Sequence, residues 1–113
     1  MRKNISVICI DEAQFFSEEI IDLVNHILML GKSAIVAGLS QDSFGKPFGS
    51  MPHLLAVADR IISLSAVCSK CRGIGAATRT YRKCESKEQV VVGGADTYEP
   101  RCFGCWSKTW MTD

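Results

Sequence analysis

The chain reads as an α/β protein with a small zinc-anchored module behind it, and three observations lead there. Two β-branched apolar runs, Ile5 to Ile10 (ISVICI) and Ala34 to Leu39 (AIVAGL), flank a stretch with helical apolar spacing. The Cys68-Ser-Lys-Cys71 and Cys102-Phe-Gly-Cys105 pairs repeat one metal-binding spacing. Charge also shifts along the chain: residues 1–66 carry 5 basic and 7 acidic side chains, residues 67–113 carry 8 and 5. These shifts predict two domains, 1–66 and 67–113.

The Ile5–Ile10 run fits a buried parallel strand, with Asp11-Glu12 at its carboxyl end and Cys9 as a small core residue. Ser17 is an expected N-cap, with Glu18 and Glu19 in the first turn. Ile20, Leu23, Val24, Ile27, Leu28 and Leu30 keep one apolar helical face, and Gly31 ends it. Ala34–Leu39 is the next buried strand, which makes a right-handed βαβ unit. A glycine- and proline-containing loop, 40–49, leads to a short helix near 52–58. Arg60 to Leu64 (RIISL) reads as a third strand. In the second part, Ala76–Arg82 and Gln89–Val92 read as β runs. Lys83-Cys84-Glu85-Ser86-Lys87 makes a plausible hairpin tip between them. Cys84 has no partner at metal spacing.

Composition narrows the function classes. The 113 residues are 47% apolar and 22% charged with a net charge of +1. Those are globular values, and so small a net charge argues against a nucleic-acid module or an anionic-membrane binder. Apolar runs fall short of the ~18 residues of a membrane span. The amino end lacks a signal-peptide cleavage pattern, which favours a cytoplasmic setting. In that setting paired cysteines are metal ligands before they are disulfides. Four thiolates suit a closed structural zinc site; two redox dithiols or unrelated core cysteines are the alternatives. The two pairs are 30 residues apart and would clamp the base of a long loop.

Four apolar strand residues followed by Asp-Glu have the Walker B pattern. The first carboxylate would face Mg²⁺ beside nucleotide phosphates, and the second would accept a proton from an attacking hydroxyl. A solvated, inert acidic turn is the plain alternative. Leu30-Gly31-Lys32-Ser33 imitates the end of a phosphate-binding loop, but the glycine required five positions before Gly31 is His26. A helix also precedes it and a strand follows, the reverse of a P-loop. It reads as a helix cap, so no segment here supplies the usual phosphate cradle. Gly93-Gly94 would let backbone approach a ligand closely.

Four segments, in order, now resemble the type II, zinc-containing thymidine kinases of bacteria, large DNA viruses and the eukaryotic cytosol. They are ICIDEAQFF (8–16), AGLSQDSFGKPFG (37–49), the two cysteine pairs, and VVVGGADTYEPRC (90–102). The resemblance implies a P-loop-kinase-like parallel sheet plus a zinc-anchored β-hairpin and lasso. It implies ATP-dependent phosphorylation of the thymidine 5′-hydroxyl. Glu12 matches the catalytic base, and Asp11 and Gln14 match the Mg²⁺–ATP signature. Phe15, Phe44 and Thr78 match nucleoside-pocket residues, Phe44 one residue out of the usual register. Gln89, Val90, Val91, Val92, Gly93 and Tyr98 match the lasso that covers thymidine, and Cys68, Cys71, Cys102 and Cys105 match the zinc ligands. Family members commonly form homotetramers or homodimers.

The family's opening strand, P-loop and helix have no counterpart in these residues. The expectation is therefore a carboxyl-terminal portion with little kinase activity on its own and an exposed sheet edge. A non-catalytic thymidine-binding or assembly remnant and a zinc-ribbon binding module are the other readings. A helicase fragment is disfavoured, because Ser65-Ala66-Val67 is too distant from Asp11 and lacks the threonine of that motif.

Overall fold

The structure is a computed structural model that describes residues 4–83, 88–94 and 97–111. The chain divides into two compact units. One comprises residues 1–40 and 47–61; the other comprises 41–46 and 62–113. The division falls at 61/62, with the 41–46 loop joined to the second unit, whereas composition places it at 66.

In the first unit, β1 (Val7–Ile10) pairs in parallel with β2 (Ser33–Val36), Val7 opposite Ser33 and Ile10 opposite Val36. The ladder runs on past the strands: Ala37 N–H donates to Ile10 O at 2.8 Å and Ala13 N–H to Ala37 O at 3.0 Å. A 3₁₀ turn (Ala13–Phe15) and α1 (Glu19–Met29) connect the strands. α2 (Met51–Val57) completes the unit. The core is Ala13, Ile20, Val24, Met51 and Leu54, with Ile10, Ile21, Ala34 and Val36 packed against it.

Several expectations need correction. The two strands are half-buried rather than buried. Ile8, Ile10, Ala34 and Val36 are the more buried residues, while Val7, Cys9 and Ile35 are exposed. Alternate side chains point to opposite faces, and only one of those faces is packed against the core. Cys9 is therefore not a core residue. α1 buries Ile20, Val24 and Ile27, whereas Leu23, Leu28 and Leu30 stay exposed. Ser17 does not cap the helix with its side chain. Glu18 occupies the cap position, and Ile20 N–H donates instead to the Ser17 carbonyl at 3.1 Å. Arg60–Leu64 is not a strand: no described strand pairs with it, and Ile62 and Leu64 are 70% and 84% exposed. Gly31 does end α1, at φ +76°.

Gly49 carries a stricter demand. It sits at φ +50°, and a Cβ there would lie 2.6 Å from the Gln14 carbonyl oxygen. Gly49→Ala is expected to cost about 3 kcal/mol, left-handed strain plus overpacking. Gly31→Ala should cost about 1 kcal/mol, because nothing lies within 4 Å of that Cβ. Urea unfolding of the two variants side by side checks the ranking.

In the second unit, β3 (Ala77–Arg82) pairs antiparallel with β4 (Tyr98–Cys102), and α3 (Phe103–Met111) follows directly. Gln89–Val92 forms no strand, contrary to expectation. β3 instead takes the segment that enters the second cysteine pair, and Ser69 N–H donates to Pro100 O at 2.9 Å from the first pair. Arg101 of β4 lies over the Tyr81 ring of β3 at 3.6 Å, a contact across the strands, and is itself paired with Glu99 of its own strand at 2.7 Å. The expected hairpin tip lies, apart from Lys83, outside the described residues, as does Cys84. Among the described residues no helix is long and apolar enough to cross a membrane.

Candidate functional site

The first unit presents a carboxylate corner at the end of β1. Asp11 and Glu12 are both exposed, and Asp11 Oδ1 accepts the Glu12 backbone N–H at 2.8 Å. Glu12 stands in the left-handed region, φ 54° and ψ 42°, costly for a non-glycine residue. That conformation turns the chain from β1 into the 3₁₀ turn, which Phe15 N–H closes onto Glu12 O at 3.1 Å.

Gln14 fixes this corner from beneath. It is 4% exposed; its Nε2 donates to Glu12 Oε2 at 2.9 Å, and its Oε1 accepts Leu39 N–H at 3.0 Å. A Cβ at Gly38 would meet Gln14 Oε1 at 2.8 Å, so glycine there makes room for the amide. Gln14 thus orients the Glu12 carboxylate, a use the sequence alone did not suggest. Phe15 is 56% exposed and meets Phe48 edge-to-face at 5.8 Å, leaving an aromatic surface open. Asp11, with its exposed carboxylate, is chemically suited to a hydrated Mg²⁺.

The second unit gathers the four predicted cysteines. The Sγ atoms of Cys68, Cys71, Cys102 and Cys105 all lie within 4.8 Å of one another, and those of Cys71 and Cys102 are 3.9 Å apart. Tetrahedral zinc with ~2.3 Å bonds needs sulfurs about 3.8 Å apart, so the cluster fits that ion. The knuckle backbones support it: Arg72 N–H donates to Cys68 O at 2.9 Å, and Cys105 N–H to Cys102 Sγ at 3.4 Å. Arg72 takes φ 65° to close the first turn. The backbone N–H of Cys71, then that of Cys102, lowers the Cys68 thiol to about 6. Hydrogen bonding with the Cys102 thiol, then burial, pushes the Cys105 thiol up to about 12. Thiols this crowded do not all ionise unaided; a bound cation is what makes four thiolates compatible.

Of the lasso residues, 89–93 lie outside helix and strand and Tyr98 opens β4. Tyr98 OH donates to Val91 O and accepts Val91 N–H at 3.2 Å, clasping both backbone polar groups of Val91. A Cβ at Gly93 would lie 2.2 Å from Thr97 Oγ1, so the close approach made here is to the chain itself. Val92 is 96% exposed, and Val90 is also exposed. Gln89 Nε2 donates to Asp42 Oδ2 at 2.9 Å. Thr78 is exposed at the start of β3, and its Oγ1 accepts from Arg79 Nη1 at 3.1 Å. Phe44 carries the Arg82 guanidinium 4.9 Å above its ring.

Sequence reasoning missed Asp42 and Trp106. Asp42-Ser43-Phe44-Gly45 had a readable turn signal, an Asx residue three before glycine. Trp106 Nε1 donates to Ser43 O at 3.0 Å, a pairing across 63 positions with no local signature.

Fold and site together define an α/β protein with a carboxylate-bearing strand end and a four-cysteine cluster that could hold a metal ion. The chain belongs to the thymidine kinase family, whose profile, described as thymidine kinase, matches residues 1–106. A thymidine kinase of Mesomycoplasma hyopneumoniae (strain 7448) is 47% identical over 106 residues, 94% of this chain and 56% of the relative. One from Coprothermobacter proteolyticus is 44% identical over 108 residues, 90% of this chain and 54% of the relative. One from Bacteroides fragilis (strain YCH46) is 39% identical over 110 residues, 97% and 54% respectively. The chain spans about half the length of the curated relatives it matches.

Proposed function

We propose that these residues serve the transfer of the ATP γ-phosphoryl group to the 5′-hydroxyl of thymidine. Glu12 takes the hydroxyl proton, and Gln14 holds that carboxylate in a fixed orientation. Asp11 would hold Mg²⁺, which neutralises phosphate charge when bound. The lasso, residues 89–93 with Tyr98, binds thymidine through backbone groups, and Phe15, Phe44 and Thr78 serve the nucleoside. The zinc clamp is structural: with four sulfur ligands it offers no open position to substrate. A homo-oligomeric assembly belongs to the same reading.

The observation that carries it is the Glu12 carboxylate at the end of a parallel strand, oriented by Gln14, in a chain of this family. The positive φ at Glu12 adds support, since backbone outliers gather at functional sites. No GxxxxGK[ST] pattern occurs in the 113 residues. The reading therefore assigns this chain proton acceptance and nucleoside handling, and expects little phosphoryl transfer from it alone.

Calorimetric titration of thymidine into the zinc-loaded chain tests the nucleoside half. Saturable binding that disappears on chelation is expected. Absence of binding to folded, zinc-loaded protein would overturn the lasso assignment and favour a zinc-ribbon binding module.

A further inference from the structure

Asp42 is 3% exposed, yet both its carboxylate oxygens are engaged. Oδ1 accepts the backbone N–H of Phe44 at 2.9 Å and of Lys46 at 3.0 Å. Its own peptide closes the same turn: Asp42 N–H donates to Lys46 O at 2.8 Å, and Gly45 N–H donates to Asp42 O at 3.0 Å. A turn needs no more than this. Oδ2 nevertheless reaches Gln89 Nε2 at 2.9 Å, 47 positions along the chain in the lasso. Burying a carboxylate is costly, and three N–H donors offset the cost only while Gln89 stays in place.

The rest of the loop is pinned to the same unit. The Trp106 indole N–H holds Ser43 O, and a Cβ at Gly45 would lie 2.8 Å from the Trp106 ring. These contacts fix the loop to α3. The Asp42–Gln89 bond is different in kind, because it ties the loop to the lasso itself.

We propose that Asp42 is a positioning residue whose carboxylate fastens the Phe44-bearing loop to Gln89, so that this loop and the lasso hold one shared position. The proposal deepens the thymidine reading above and rests on it for the ligand; the fastening rests on the geometry alone.

The test uses three variants of the full chain, Asp42→Ala, Asp42→Asn and Gln89→Ala, each with zinc content verified. Amide hydrogen exchange is followed over 41–46 and 88–94, and thymidine affinity is measured in parallel. Asp42→Ala should speed exchange in both segments and weaken thymidine binding about tenfold, the scale of one buried hydrogen bond. Gln89→Ala should loosen 88–94 while the Phe44 and Lys46 amides stay protected, with a similar loss of affinity. That combination separates fastening from local folding of the turn. Asp42→Asn should restore both readouts, because its Oδ1 still accepts the two amides and a reversed Gln89 amide meets its Nδ2.

Wild-type exchange over 88–94 in Asp42→Ala would overturn the fastening. Unchanged thymidine affinity in both alanine variants would overturn the positioning role. If the wild-type chain binds no thymidine, the ligand reading fails, and exchange still decides whether Asp42 fastens the two segments. Should Asp42→Ala lose its zinc or its fold, Gln89→Ala and Asp42→Asn carry the decision.

Discussion

Replacing Cys68 with serine is expected to empty the metal site and unfold the second unit. Cys68 is fully buried, and its sulfur lies within 4.8 Å of three others. This unit buries little apolar surface: among the described residues only Cys68 and Ala77 of its apolar side chains are buried, and Ile62, Leu64, Ile74 and Val92 are 70% exposed or more. Zinc held at this cluster is then expected to be a large stabilising contribution, on the order of 10 kcal/mol for a structural site near neutral pH. A hydroxyl in place of one thiolate is expected to remove several kcal/mol of that, comparable with the roughly 3–5 kcal/mol that so small a core supplies. Zinc content should fall from about one ion per chain to near zero. Protease cutting should concentrate in the 62–111 region, while the helical circular dichroism of α1 persists. Cys9→Ser is the control. Cys9 is exposed on β1 and not part of the cluster, so zinc content and stability should not change.

Glu12→Gln should abolish proton acceptance and disturb little else. The substitution is isosteric, and the new amide oxygen can still accept the Gln14 Nε2 hydrogen bond that Glu12 Oε2 accepts at 2.9 Å. Losing a positioned general base costs roughly 10²–10⁴ in turnover. In a chimera that carries this chain's residues in place of the aligned segment of the Mesomycoplasma hyopneumoniae relative, kcat should fall by that factor. The KM for thymidine should stay near its starting value, because the residue assigned to the proton is not assigned to nucleoside binding.

Much of this was legible because the signals are local. The β-branched run before Asp11, the helical spacing through Val24 and Ile27, and the Gly31 stop each need only a few neighbouring residues to be read. The cysteine spacing is equally local, and the four sulfurs do converge. What escaped depended on neighbours distant in sequence. Arg60–Leu64 has strand composition, but a strand exists only when another chain segment offers its hydrogen bonds. Cys9 and Leu23 have core character, yet burial is decided by which faces find a cover. Gln89–Val92 has β propensity, but Tyr98–Cys102 took the place beside Ala77–Arg82, next to the second cysteine pair. The site divides along the same line. Asp11 and Glu12 could be named from the strand end alone. The Gln14 bond to Leu39, 25 positions away, and the Asp42 bond to Gln89 could not, because nothing in either stretch announces its partner.

The account turns on Glu12 as the proton acceptor for a nucleoside hydroxyl. Mg-ATP-dependent formation of thymidine 5′-monophosphate by the chimera, with Glu12 and with Glu12→Gln, is therefore the decisive assay. The expected result is product from the first and at least a roughly hundredfold loss in the second, with zinc content equal in both. Equal rates from the two proteins, or no product from a folded, zinc-loaded chimera, would contradict it.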